Sequence, residues 1–425
     1  MAIVATPQMT PQRAGEIARD FDLRALPPDF YANPFPVYAA LREREPVRRM
    51  PDGSWFLTRY ADLAAVYRDA HAFSSDKKVE FTPKYGEGSP LLAHHTTSLV
   101  FNDPPLHTRV RKLIMGALTR RAIADMEPGL VALVDGLLDR IAAQGGGDLV
   151  EDFASAIPVE IIGNLLGVPR GERGPLRGWS LAILGALEPR LTPQQQGQGE
   201  RGVEEFLDYL RTLVARRRRE PGDPEHDVLT RLIQGEQGGE QLSEHELLQN
   251  CIFILNAGHE TTTNLIGNAL VALQEWPGEK ERLLAMLGPA PDWTALEERL
   301  ARAVDEFLRF ESSNQLGNRR ALRACTIGGV DLPEGALVTL CIGAANRDPA
   351  QFARPDVLDL ARADNRHLAF GLGIHQCAGL SLARLEGRVA IGRFLARFPR
   401  YELTAAPTRG GRARFRGFLH APFAT

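Results

Sequence analysis

The chain has 425 residues, 44% of them apolar, and a formal net charge of −3 from 50 Lys+Arg against 53 Asp+Glu. That length exceeds the roughly 100–200 residues of an ordinary domain and supplies ample apolar material for a large core. Balanced charge leaves no footprint for nucleic acid or an acidic membrane surface, and the four scattered cysteines, with no CxxC spacing, argue against a disulfide framework or a zinc ribbon.

The first segment, MAIVATPQMTPQRAGEIARDFDLRALPPDFYANPFP, contains no apolar run long enough for a signal peptide or an anchor, so a cytoplasmic chain outside the membrane is expected. Residues 1–25 read as a flexible tail and 26–425 as one undivided domain. GSWFLTRY, near residue 55, is strand-like. After residue 100 helical periodicity dominates, as in RRAIADMEPGLVALVDGLLDRIAAQ and VEEFLDYLRTLVARRRRE. The run Arg216 to Arg219 reads as a solvated helix end, where cations suit the dipole, rather than as a nucleic-acid contact. GDPEHD, GEQGGEQ and GPAPDW read as loops between helices.

One helix stands out. Ser243 and Glu246 have capping-box spacing, and the pattern continues through LLQNCIFILNAGHETTTNLIGNALVALQEW until Pro277. Roughly 30 residues at 1.5 Å each would span about 45 Å, the width of a large domain. His259, Glu260 and two asparagines near its centre exclude a membrane span, and its apolar circumference places it in a core. CTIGGVDLPEGALVTLCI, from 325 to 342, reads as a hairpin. The fold class expected is mainly α with small β-sheets.

Near the C-terminus, HLAFGLGIHQCAGLSLARLEG sets Cys377 among three glycines at the foot of a helix. Gly371, Gly373 and Gly379 allow backbone turns and close approaches that a Cβ would block. A thiolate there meets the positive end of a helix dipole, which suits a nucleophile, a metal ligand or a structural thiol.

Phe370-Gly371-x-Gly373-x-His375-x-Cys377-x-Gly379 resembles the haem-binding loop of the cytochrome P450 family at every characteristic position. Glu306 and Arg309 in AVDEFLRF match the family's ExxR element, with Arg362 a candidate third member. NRDP (346–349) and PFPVYAALRE near the N-terminus are also similar, so the resemblance runs from about residue 30 to the end. It implies a single-domain fold with the long helix over a non-covalent haem b and Cys377 as axial ligand of the iron, where an anionic sulfur favours O–O cleavage. It also implies that Phe370 shields the sulfur and that His375 and Arg319 meet haem propionates. His107 and Arg111 in FNDPPLHTRVRKL lie four apart on one helix face and match further propionate ligands.

In NAGHETT, the resemblance makes Ala257 and Gly258 the positions that leave room for dioxygen, with the glycine letting the helix loosen. Glu260 and Thr261 match the family's acid–alcohol pair, a carboxylate that gates protons beside a hydroxyl that can hydrogen-bond oxygen. His259 has no role in this reading. The activity implied is insertion of one atom of O₂ into a small organic substrate, by hydroxylation or O-dealkylation. The chain ends soon after the haem-binding helix, so electrons are expected from a separate ferredoxin and its reductase, acting on a monomer. Arg109, Arg111, Lys112, Arg120 and Arg121 are the expected docking charges. A peroxide-driven enzyme and a non-catalytic haem-thiolate protein are the alternatives, and neither needs Glu260 with Thr261. Phe253 and Asn256 are expected to border the substrate pocket. So is Asn314, next to Ser313, where relatives commonly carry a proline and an aliphatic residue. Those polar groups point to a mostly apolar, aromatic or terpenoid-like substrate with an oxygen function.

Overall fold

The computed structural model describes residues 9–224, 227–234 and 242–425, which are mainly helical with small sheets, as the pattern predicts. The expected loop at 235–241 lies outside the described residues, as do positions 225–226 within GDPEHD. GPAPDW does run as a loop, between the helices Pro277–Leu287 and Trp293–Phe310.

The residues gather into two compact units that alternate along the sequence. The first takes the chain up to Phe73, Gly129–Ala156 and Thr261–Thr425, and the second takes Ser74–Pro128 and Ile157–Glu260.

In the first unit a five-stranded sheet runs in the order Val47–Arg49, Trp55–Leu57, Leu337–Cys341, Leu316–Ala321, Phe73–Ser74. Trp55 pairs with Val338 in parallel register, whereas Leu316 opposes Cys341 in an antiparallel pair. The expected hairpin over 325–342 is therefore shorter than its pattern. Cys325–Ile327 and Val330–Leu332 pair around Gly328 and Gly329, both at positive φ. A turn at 333–336 then sends Leu337–Cys341 into the larger sheet. The tail expected over 1–25 is packed from Pro11 onward. Thr10 caps the helix Pro11–Arg19, whose Ala14, Ile17 and Ala18 follow the spacing of one helix face and bury against Phe21, Phe30 and Phe56. The helix Leu380–Arg397 lies against Trp293–Phe310 and carries the cysteine loop at its N-terminal foot.

In the second unit the helices Leu176–Gly185 and Pro193–Arg219 pack together, with the Trp179 indole stacked on Phe206 at 4.9 Å between centroids. Pro193–Arg219 starts ten residues before VEEF because Thr192 and Gln195 form a capping box there. Three of its four terminal arginines are ion-paired rather than merely solvated. Arg216 reaches Glu172 through two bonds of 2.8 and 2.6 Å, Arg217 meets Asp227 at 2.9 Å, and Arg218 meets Glu244 at 3.0 Å. The long helix spans Glu244–Glu275, of which the residues up to Glu260 belong to this unit and the rest to the first. Its capping box is formed: the Glu246 N–H donates to Ser243 Oγ at 3.2 Å, and the Ser243 N–H to Glu246 Oε2 at 2.9 Å. Trp276 and Pro277 end it. Among the described residues no helix is long and apolar enough to cross a membrane.

Candidate functional site

Glu306 and Arg309 sit one helical turn apart, both fully buried, and bond through Nε–Oε2 and Nη2–Oε1 contacts of 2.8 Å each. Burying two charges is costly unless every remaining donor and lone pair is met. Here they are. Arg362 Nε donates to Glu306 at 3.0 Å, with the Asn365 amide at 3.1 Å and the Asp359 N–H at 2.9 Å. Arg309 gives its other protons to the carbonyls of Asn346, Pro355 and Val357. The third member expected from sequence, Arg362, is in place. Asn365 went unnoticed because a lone asparagine 59 residues downstream carries no local signal.

This brace and the cysteine loop belong to the same unit, and its Asn365 shortly precedes Phe370 in the chain. Gly371 and Gly373 adopt φ of +63° and +70°, and a Cβ on Gly373 would collide with the carbonyl oxygen of Tyr67. The Cys377 N–H donates to the Phe370 carbonyl at 2.9 Å, closing the loop just before the helix N-cap at Gly379. The four thiols differ sharply. Cys251 and Cys341 are wholly buried, and burial pushes each up to about 12. Cys325 lies on the small hairpin and is raised by burial as well. Cys377 is partly exposed at a helix N-terminus, the setting that favours a thiolate.

The long helix contributes a second feature. Between Leu247 and Leu273 every residue is buried except Phe253, Ala257, Gly258 and Thr261. Phe253, Ala257 and Thr261 are four apart, so they form one stripe along the helix. Ala257 is the most open of them. A Cβ on Gly258 would sit 2.6 Å from Ile162 Cδ1, so the glycine also admits the neighbouring helix Ala156–Leu165. Glu260 and His259 lie buried beside the stripe, and burial, helped by Arg177, pulls the His259 imidazole down to about 3. Asn256 turns off the stripe, its amide nitrogen 3.5 Å from His94 Nε2. Its carbonyl oxygen and that of Asn314 are buried and meet no hydrogen-bond donor among the described residues.

Of the expected propionate ligands, His107 is buried and Arg111 partly buried on the helix Leu106–Ala117, one turn apart. Arg319 lies on the strand Leu316–Ala321 with its guanidinium 5.2 Å from the Tyr67 ring, and His375 is partly exposed in the cysteine loop. One expected docking charge is withdrawn, because Arg109 is bound to Glu246. Lys112, Arg120 and Arg121 remain exposed.

The family model for cytochrome P450 matches residues 184–408. Cytochrome P450 107B1 of Saccharopolyspora erythraea is 36% identical over 399 residues, which cover 91% of this chain and 93% of that one. The chain belongs to the cytochrome P450 family. Vitamin D(3) 25-hydroxylase of Pseudonocardia autotrophica is 38% identical over 379 residues, 88% of each chain. Among solved structures, P450BioI in complex with an acyl carrier protein superposes with a TM-score of 0.84 at 30% identity, covering 93% of this chain and 99% of that one. CalO2 gives 0.84 at 30%, covering 95% and 98%.

This P450 is thus an oxidoreductase of the monooxygenase class, acting with O₂ on a small-molecule substrate and implying a haem with thiolate ligation. Its residues fit that group. One partly exposed thiol stands at a helix N-terminus in a loop that Gly373 brings close to the Tyr67 backbone, and one stripe of an otherwise buried helix is left reachable. A flat apolar macrocycle with a single soft axial donor asks for such features.

Proposed function

We propose that this P450 oxygenates a mostly apolar organic substrate carrying at least one oxygen function, with haem b ligated by Cys377 and electrons supplied by a separate ferredoxin. The observation that carries the reading is the reachable stripe, because the Thr261 hydroxyl lies on it with the Glu260 carboxylate next in sequence. Bound haem supplies the activation of dioxygen, with the anionic sulfur donating electron density to iron. The protein's share is to hold and move protons. Thr261 offers a hydroxyl that can donate and accept at the open face, and Glu260, buried one residue away, passes protons toward it. Arg111 and Arg319 would neutralise the propionates, and His107 and His375 would hydrogen-bond them. The stranded amide oxygen of Asn314 favours a substrate with a hydroxyl or other donor, since an unmet buried acceptor costs about 1–3 kcal/mol. The alternative of a peroxide-driven enzyme leaves the pair of Glu260 and Thr261 without a task.

The test is spectroscopic. The reduced protein with carbon monoxide should show the red-shifted Soret band of thiolate ligation. Cys377→Ala should abolish it and Cys251→Ala should retain it, because the latter thiol is buried in the long helix. A Cys377→Ala protein with an unchanged band would end the reading.

A further inference from the structure

Phe370, the residue whose carbonyl receives the Cys377 N–H, is contacted by two side chains outside the haem-loop motif. The His367 ring lies 5.6 Å from the Phe370 ring between centroids, tilted by 49°, and the Arg384 guanidinium carbon lies 5.2 Å from the same centroid. Both side chains converge on one carboxylate. Asp305 Oδ1 receives His367 Nε2 at 3.3 Å and Arg384 Nε at 2.8 Å, and Oδ2 receives Arg384 Nη2 at 3.2 Å. The imidazole has a fixed tautomer: its Nδ1 accepts the Ala369 N–H at 3.2 Å, so the proton is on Nε2 and faces Asp305. Burial raises the Asp305 carboxyl, but the His367 and Arg384 donors outweigh it and leave the group below its ordinary range. Asp305 is therefore an anion at neutral pH. It takes no part in the brace built by its neighbour Glu306.

We infer that Asp305 is a positioning residue for the cysteine ligand: it holds His367 and Arg384 against Phe370 and neutralises the guanidinium there, and so sets both the seat of the Phe370 carbonyl and the charge felt at Cys377. The inference rests on the reading of Cys377 as the haem thiolate. Its electrostatic content has a sign. Without the Asp305 charge, an uncompensated cation stands beside the loop and favours the reduced, more negative iron–thiolate centre. Without Arg384, an uncompensated anion does the reverse. The groups are partly exposed, so solvent screens the effect.

Spectroelectrochemistry on the full-length holoprotein reads it. Asp305→Asn, nearly isosteric, should raise the haem midpoint potential, equivalent to at least a threefold gain in the reduced-to-oxidised ratio at fixed potential. Arg384→Gln should lower it by a comparable factor. The double variant should return close to the unsubstituted protein, and Asp305→Glu should shift it least. A merely structural tie would move both single variants the same way, or neither, and either result overturns the proposal. Should Asp305→Asn load too little haem to titrate, a lowered potential in Arg384→Gln still supports the inference and an unchanged one still sinks it. Absence of the thiolate band in the unsubstituted protein would instead remove the reading of Cys377 itself.

Discussion

Glu260 and Thr261 are adjacent in sequence yet differ in setting: the carboxylate is buried while the hydroxyl lies on the open stripe. A side chain at that face can meet a bound molecule, and one behind it can act only through a neighbour. Thr261→Ala should therefore still bind haem and substrate and consume reductant, with most of the electrons recovered as hydrogen peroxide and product yield reduced severalfold. Peroxide and product measured per reductant consumed decide it, and full coupling would assign that hydrogen bond to the substrate or to water. The Cys377 loop is legible in the sequence, because its parts are contiguous and the glycines are fixed by backbone sterics. Asp305, His367 and Arg384 are not. They are 62 and 79 residues apart in the pairs that matter, and only the packed chain brings an ordinary acid, imidazole and guanidinium together.

The long helix shows how one residue can serve two ends. Glu246 completes the capping box with Ser243 and also binds Arg109. Ser243→Ala removes the side-chain acceptor for the Glu246 N–H, at a cost of about 1 kcal/mol. Hydrogen exchange in the first turn should then rise about fivefold, while protection near Leu265 to Leu273 stays unchanged, since local opening costs less than global unfolding. Uniform loss of protection along the helix would contradict the capping account. Periodicity and the stop at Pro277 predicted this helix well, because both are local. It could not show that Gly258 packs against Ile162, almost a hundred residues earlier, and it set Asn256 toward the substrate although the amide turns to His94. The hairpin was overextended for a related reason: alternation marks a strand but does not name its partner, and Leu337–Cys341 found two in the larger sheet.

At the scale of the whole molecule, two buried imidazoles of the second unit, His94 and His259, are held far below their ordinary range. His94 hydrogen-bonds Gln249 at 2.9 Å, and burial holds it down to about 4, against 6.5 for a free imidazole. His259, lowered to about 3, belongs to the same unit. An unfolded chain binds protons at these sites once pH falls below about 6.5, whereas the folded one does not until near 4, so their contribution is full above 6.5 and drains away below it. For His94 alone the loss between pH 7 and pH 5 is about 2 kcal/mol. His94→Gln should flatten the fall in thermal midpoint over that window, and parallel profiles for the two proteins would refute the assignment.

The stack of Trp179 on Phe206 has a practical consequence for watching this happen. Of the four tryptophans, at 55, 179, 276 and 293, only Trp179 lies in the second unit. Each unit therefore carries its own intrinsic chromophores, and Trp179→Phe would darken one of them. The difference between the two emission traces during acidification would report only the unit that holds His94 and His259, with no label attached.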